Sequence, residues 1–157
     1  MESVKKLKSR AQKARGEVLR ISYNSRSGHI GSAFSSIDLL VGLYDGFLRS
    51  GTDSRRDRFI LGKGHAAAAL YHCLHVAGLI DKETLDGFGK DGGTLRHHPD
   101  RRPEWGIDFT TGSLGHGLSL AAGLGYGARL NGEDWRAVVL LSDGEMAEGM
   151  IWEAAMF

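Results

Sequence analysis

Ala137-Val138-Val139-Leu140-Leu141-Ser142-Asp143-Gly144-Glu145-Met146-Ala147-Glu148-Gly149 begins with five apolar residues and runs straight into an acidic turn containing glycine. A short, continuous apolar run of this kind is expected of a strand buried on both faces of a sheet. Residues from about Ala147 to Phe157 then predict a helix, so the segment is a strand, an acidic turn and a helix in direct succession. Such a unit belongs to an α/β domain with a largely parallel sheet flanked by helices, whose ligands sit beyond the carboxyl ends of the strands.

Moving outward, Arg58-Phe59-Ile60-Leu61 is a second short apolar run, bounded by charge on one side and by Gly62-Lys63-Gly64 on the other. It predicts a buried strand followed by a helix from about Ala66 to Val76. Ile107-Asp108-Phe109-Thr110 is expected to form a third short strand. After it, Gly112-Ser113-Leu114-Gly115-His116-Gly117 opens a helix rich in Ala and Gly, in which Gly123, Gly125 and Gly127 each cost roughly 1 kcal/mol relative to Ala. Close packing against a neighbour is the expected compensation. Two or three strands fall short of the about five or six in an average sheet, so the fold is expected to be incomplete at its C-terminus.

Towards the N-terminus, Val4, Leu7, Ala11, Ala14, Val18 and Ile21 recur at spacings of three and four, forming one stripe of an amphipathic helix. Its opposite face carries Lys5, Lys6, Lys8, Arg10, Lys13, Arg15 and Arg20, which is expected to be solvated charge rather than a nucleic-acid or membrane surface. Glu2 and Glu17 argue against an organelle transit peptide. Ser35 and Ser36 are expected to cap a second, mostly buried helix carrying Ile37, Leu39, Leu40, Val41, Leu43, Tyr44, Phe47 and Leu48. Asp81 caps a small helix ending near Phe88, and Gly89 to Glu104 is expected to be a loop. With no repeat and no linker, residues 1–157 are expected to be a single, partial domain.

Composition narrows the partners. The 20 Lys plus Arg nearly cancel the 19 Asp plus Glu, so no net field draws the chain to nucleic acid or anionic lipid. Cys73 is the sole cysteine, which excludes an internal disulfide and fits a reducing compartment. No apolar run approaches the ~18 residues of a membrane span, and the N-terminus has no signal-peptide core. A cytoplasmic, soluble protein is the expectation. The 23 glycines cluster around particular motifs instead of spreading evenly as in a flexible linker.

The chemistry is expected at those motifs. In the Ser142 to Gly149 turn, Asp143 can give Mg²⁺ a hard oxygen ligand, Gly144 lets the backbone approach phosphate, and free helix N–H groups favour the anion. Asp-Gly also occurs in many turns for conformational reasons alone. Lys63-Gly64-His65 and Gly112 to Gly117 are two more glycine turns at helix starts, and the three could converge at one sheet edge. His29, between Gly28 and Ile30-Gly31, lies in a stretch too polar for core, although position alone does not make a loop histidine catalytic. His65, His72 and His75 fall at helical spacings of seven and three, but no nearby carboxylate joins them into a metal site.

Taken together, Ser27-Gly28-His29-Ile30-Gly31, Gly62-Lys63-Gly64-His65, His98-Pro99, Thr111-Gly112-Ser113-Leu114-Gly115-His116-Gly117 and Asp143-Gly144 with Glu148-Gly149 and Trp152-Glu153-Ala154 resemble, in order and spacing, the N-terminal region of the transketolase family. The resemblance covers nearly the whole chain and is strongest to the N-terminal subunit of split transketolases, whose halves are separate polypeptides. It implies the diphosphate-binding domain of the thiamine-diphosphate-binding fold. The implied activity is transfer of a two-carbon ketol unit from a ketose phosphate to an aldose phosphate, dependent on thiamine diphosphate and Mg²⁺, as in the pentose phosphate reactions.

By that resemblance, Asp143 is the metal ligand and Gly144 a backbone contact to the diphosphate, which His65 also touches. His29 and His98 face the reacting carbon and the substrate hydroxyls, with catalytic roles in proton transfer and positioning. Gly112, Ser113, Leu114, Gly115 and Gly117 line the wall beside the cofactor rings. Glu148 lies at a dimer interface, in an acidic network linking paired sites. His116 matches the split-enzyme form of the turn.

Two departures leave the ligands in place: Ser142 stands where the family has Gly before the metal-binding Asp, and Ile30 where it has Pro after the early His. The family's second metal ligand, an Asn roughly thirty residues beyond the Asp, and its pyrimidine-binding half are not among these residues. The expected partners are therefore sugar phosphates and a C-terminal subunit or pyrimidine-binding domain, in a homo-oligomer or heterotetramer. The isolated chain is expected to be inactive, with apolar surface exposed around Trp152 and Phe157. A 1-deoxyxylulose-5-phosphate synthase is the alternative within the family, and a non-catalytic fragment the alternative outside enzymes; Lys63 to Ala67 with Leu70-Tyr71 favours transketolase.

Overall fold

The computed structural model describes residues 4–157. Helix α1 spans Val4–Asn24, and Ala11, Ala14, Val18 and Ile21 are its buried stripe. Val4, on the same stripe one turn beyond the core, is exposed. Helix α2 spans Ile30–Gly42 and runs into a widened turn at Leu43–Phe47, where Gly46 takes a φ of 146° that L side chains rarely adopt. Strand β1, Arg58–Leu61, leads through a short 3₁₀ turn at Gly64–Ala66 into α3, Ala67–Val76. The small helix α4 spans Lys82–Asp86, and Asp81 caps it by accepting the Thr84 N–H at 2.7 Å. Helix α5 spans His116–Leu130 and strand β2 spans Ala137–Leu140. A second 3₁₀ turn, Gly144–Ala147, then leads into α6, Gly149–Met156.

The two strands pair in parallel, Arg58 opposite Ala137 through Leu61 opposite Leu140. Their alternation builds three layers. Phe59 and Leu61 point into the core formed with α1, α2 and α3, and Val138 and Leu140 pack against it. On the other face α5 crosses both strands. Gly117 in its first turn lies so close that an added Cβ would stand 2.9 Å from the Gly62 Cα and 3.3 Å from the Val139 Cγ2.

Two buried carboxylates anchor the amino-terminal end of the sheet. Asp57, whose side chain is fully buried, accepts the backbone N–H groups of Arg49 and Arg136 at 3.0 and 2.8 Å, and pairs with both guanidinium groups. Arg56 meets Asp108 at 2.5 Å with both side chains largely buried. A carboxylate so enclosed by paired donors satisfies the requirement that buried charge be compensated.

Four expectations need correction. Helix α2 starts at Ile30, with His29 at its N-cap position, so Ser35 and Ser36 lie inside it and their hydroxyls donate back to the Ser32 carbonyl at 3.0 and 2.8 Å. Leu39 on its outer face is 56% exposed, so one stripe is buried, not most of the helix. Ile107 to Thr110 is no strand: Ile107 makes one antiparallel bridge to Arg102, closing the Pro103–Trp105 turn over left-handed Gly106, and Asp108 is turned to Arg56. Gly123 and Gly127 have open space where a Cβ would stand, and Gly125 only Ala137 at 3.9 Å, so the close approach of α5 is made at Gly117 instead.

Trp152 and Phe157 are 56% and 79% exposed. No helix among the described residues is long and apolar enough to cross a membrane. His75 Nδ1 lies 3.1 Å from the Ile80 carbonyl, and no group of three metal-ligating side chains is assembled among the described residues.

Candidate functional site

At the carboxyl ends of the strands, each chain leaves the sheet through a tight turn, and the sequence motifs meet there. After β1, Gly62 can carry no side chain: a Cβ would stand 2.8 Å from the Leu141 Cδ2 and 3.0 Å from a Glu145 oxygen. Gly64 is equally confined, 2.8 Å from the Thr111 carbonyl carbon and 2.9 Å from the Gly112 nitrogen. These approaches bring the Gly62–His65 turn against both the Gly112–Gly117 turn and the turn after β2.

The three candidate histidines come from three separate segments. His29 stands exposed at the start of α2, His65 half-buried in the 3₁₀ turn, and His98 half-buried before Pro99. The His29 ring lies edge-to-face with both others, at 5.6 Å from His65 and 5.5 Å from His98. Burial lowers the His65 pKa first, followed by the charges of Lys63, His29 and His98, with Glu145 opposing. Burial also lowers the pKa of His98, helped by His29 and His97. Both rings are therefore held below the ordinary imidazole value and are neutral near pH 7, able to accept a proton or donate a ring N–H.

The Gly112–Gly117 turn lies between these histidines and the acidic segment. The His98 ring packs over Gly112, where a Cβ would stand 3.3 Å from its Cδ2. Gly115 takes a left-handed φ of 88°, and a Cβ there would meet Glu148 Cβ at 2.9 Å. Ser113 is exposed, Leu114 is half-buried, and His116 turns its Nδ1 to the Leu114 carbonyl at 3.2 Å. Behind this turn the Thr111 hydroxyl oxygen is buried without a partner. Asp143, Gly144 and Glu148 are all exposed on the same edge, and nothing lies within 4 Å of a Cβ placed at Gly144.

Two buried charged residues at this edge were not singled out from the sequence. Lys63 is 8% exposed and donates to Ser35 Oγ at 3.1 Å; burial lowers its pKa, while Asp143 and Glu145 oppose that shift. Glu145 is fully buried, accepting the Gly115 N–H at 2.9 Å and the Ser142 N–H at 3.2 Å. The available signal was their position: a lysine between glycines just past a buried strand, and a second acid two residues after Asp143.

The donor set suits a diphosphate with a divalent cation. Helix α5 presents the positive end of a 15-residue dipole behind a turn in which Gly112, Gly115 and Gly117 carry no side chain, the Lys63 ammonium is buried at the same sheet edge, and Asp143 offers an exposed carboxylate at the rim.

Comparison with known proteins shows the family. Residues 10–157 match the family model described as transketolase, thiamine diphosphate binding domain. The chain is 39% identical over 157 residues to a subunit of the apulose-4-phosphate transketolase of Phocaeicola vulgatus, covering 98% of this chain and 56% of that one. It is 39% identical over 134 residues to the 6-deoxy-6-sulfo-D-fructose transketolase subunit SqwG of Clostridium sp., covering 83% and 49%. The chain thus spans about half the length of these relatives. Among solved structures, the Campylobacter jejuni transketolase superposes with a TM-score of 0.86 at 27% identity, over 98% of this chain and 26% of that one. The Leishmania mexicana transketolase gives 0.79 at 30% identity, over 98% and 25%. A match that runs through every turn at the sheet edge places this chain in the transketolase family.

Proposed function

We propose that residues 1–157 form the diphosphate-binding part of an enzyme that transfers a two-carbon ketol unit from a ketose phosphate to an aldose phosphate, using thiamine diphosphate and Mg²⁺. The observation that carries this reading is the convergence of His29, His65 and His98, with the His98 ring over Gly112 and with Gly115 joined through Glu145 to the turn that bears Asp143.

When bound, thiamine diphosphate supplies a nucleophilic carbon able to accept and release a two-carbon ketol unit. The remaining work falls to the chain. Asp143 ligates Mg²⁺, and the backbone at Gly144 together with His65 contacts the diphosphate. Gly112, Ser113, Leu114, Gly115 and Gly117 form the wall against the cofactor, where the three glycines permit close approach of the backbone. His29 and His98 hold sugar hydroxyls and relay their protons, work to which imidazole side chains are suited. Glu148, exposed against Gly115, belongs to an acidic contact between subunits.

A pyrimidine-binding half completes the site from another domain or subunit; relatives named as transketolase subunits support a separate partner chain. Calorimetric titration with thiamine diphosphate, with and without Mg²⁺ and with the partner half supplied, tests the first part of the proposal. Ketol transfer between sugar phosphates, assayed with the partner half supplied, tests the second. Saturable Mg²⁺-dependent binding and turnover are expected; no binding under either condition overturns the assignment.

A further inference from the structure

Among the described buried charged side chains at this sheet edge, Glu145 alone ties two separate turns together by their backbones. One carboxylate oxygen takes the N–H of Gly115, thirty residues away in sequence, and the other takes the N–H of Ser142. The Ser142 hydroxyl returns the contact by accepting the Glu145 N–H at 3.3 Å. The space is made by Gly62, whose missing Cβ would stand 3.0 and 3.1 Å from the two oxygens. The residue has no exposure, so it cannot itself touch a ligand in solvent. Its two acceptors hold the start of α5 and the segment bearing Asp143 at a fixed separation.

We infer that Glu145 is a positioning residue of the cofactor edge, a buried carboxylate that locks the Gly115 turn to the Ser142–Asp143 turn and so sets the distance between the diphosphate-facing backbone and the cation-binding carboxylate. The inference rests on the cofactor reading proposed above. Ionised Glu is suited to the task because both its oxygens accept, whereas the isosteric amide offers one acceptor and turns an NH₂ donor towards one of the two backbone N–H groups. A buried N–H left without a partner is costly, and the turn that owns it shifts to find another.

The test uses the whole protein with its partner half. Thiamine diphosphate affinity in the presence of Mg²⁺ is measured for wild type and Glu145→Gln, together with amide hydrogen exchange across residues 112–130 in cofactor-free protein. Glu145→Gln is expected to bind about tenfold more weakly and to exchange the Gly115 amide about tenfold faster, while the later turns of α5 keep their protection. A residue that merely stabilises the fold would instead raise exchange along all of α5. Affinity within twofold of wild type, an unchanged Gly115 amide, or uniform loss of protection overturns the inference. If Glu145→Gln does not fold, Ser142→Ala is measured instead, because it frees the Glu145 backbone without altering charge. Roughly threefold weaker binding is then expected, and wild-type affinity refutes the clamp. Failure of the wild-type protein to bind the cofactor sinks the underlying reading and this inference with it. Wild-type binding equalled by Glu145→Gln sinks only the inference.

Discussion

The chain leaves its sheet twice by the same route and treats the two exits in opposite ways. Beyond β1, Gly62, Lys63, Gly64 and Ala66 are buried, and α3 continues inward with Ala67 to Tyr71, Cys73 and Leu74 all in the core. Beyond β2, Asp143, Gly144, Met146, Ala147 and Glu148 are exposed, and α6 buries only Ile151. Each exit holds one charge out of water, a cation in the first and an anion in the second. Strand, 3₁₀ turn and helix are thus a neutral frame; the side chains around it decide whether an exit is buried in the domain or left exposed.

The sharpest break in that comparison is Asp143→Ala, which removes the exposed carboxylate of the second exit. Mg²⁺-dependent retention of thiamine diphosphate should fall about 100-fold or more by equilibrium binding, with little change in unfolding temperature. His29→Ala should instead lower turnover roughly 10²-fold and leave cofactor affinity within about threefold, since its proposed work is on the substrate. Equal loss of cofactor binding in both variants would remove the division of labour between them.

Stability should divide along the same line. Leu74, fully buried on α3, should cost about 3 kcal/mol when cut to Ala, read from denaturant midpoints at constant slope. The pH dependence follows from His65 on the buried exit, whose folded-state pKa is depressed. The unfolded chain then binds more protons below the ordinary imidazole value of about 6.5, so this contribution is complete above that pH and declines as pH falls. Between about pH 7.5 and 5.5 the wild-type melting temperature should drop more than that of His65→Gln, and parallel profiles would contradict the shift. The smallest effect belongs to the exposed exit: Trp152→Ala should stay within about 0.5 kcal/mol.

Both strands, the helix after each and the α1 stripe were legible because their patterns are local: Phe59 to Leu61 and Val138 to Leu140 are continuous apolar runs, and Ala11, Ala14, Val18 and Ile21 repeat at helical spacing. The three histidines could be picked out by motif, but the approach of the His29 ring to within 6 Å of the other two depends on folding segments 36 and 69 residues apart and has no local signature. Ser35 and Ser36 misled because a hydroxyl that caps a helix and one that bonds back within it have the same sequence appearance. Ile107 misled because one bridge beside a proline turn needs the same apolar, extended residue as a strand. Glu145 was passed over because an acid beside Asp143 looks like more surface charge until Gly62 and Gly115 are seen to enclose it.

Asp57 bonds the backbone where the parallel pair begins, and Glu145 bonds it where the pair lets go. A ladder fastened at both ends has a fixed rung count, which makes length, more than composition, the quantity under constraint. Conservative exchanges at Ile60 or Val139 leave both fastenings engaged. Deleting one residue from either strand pulls one of them out of reach and turns every later side chain to the opposite face. Between the strands, the exposed 90–94 segment lies outside this ladder and should accept an added residue more readily than either strand. Single-residue insertions at 58–61 and at 137–140 should therefore be poorly tolerated, and insertions at 90–94 tolerated better.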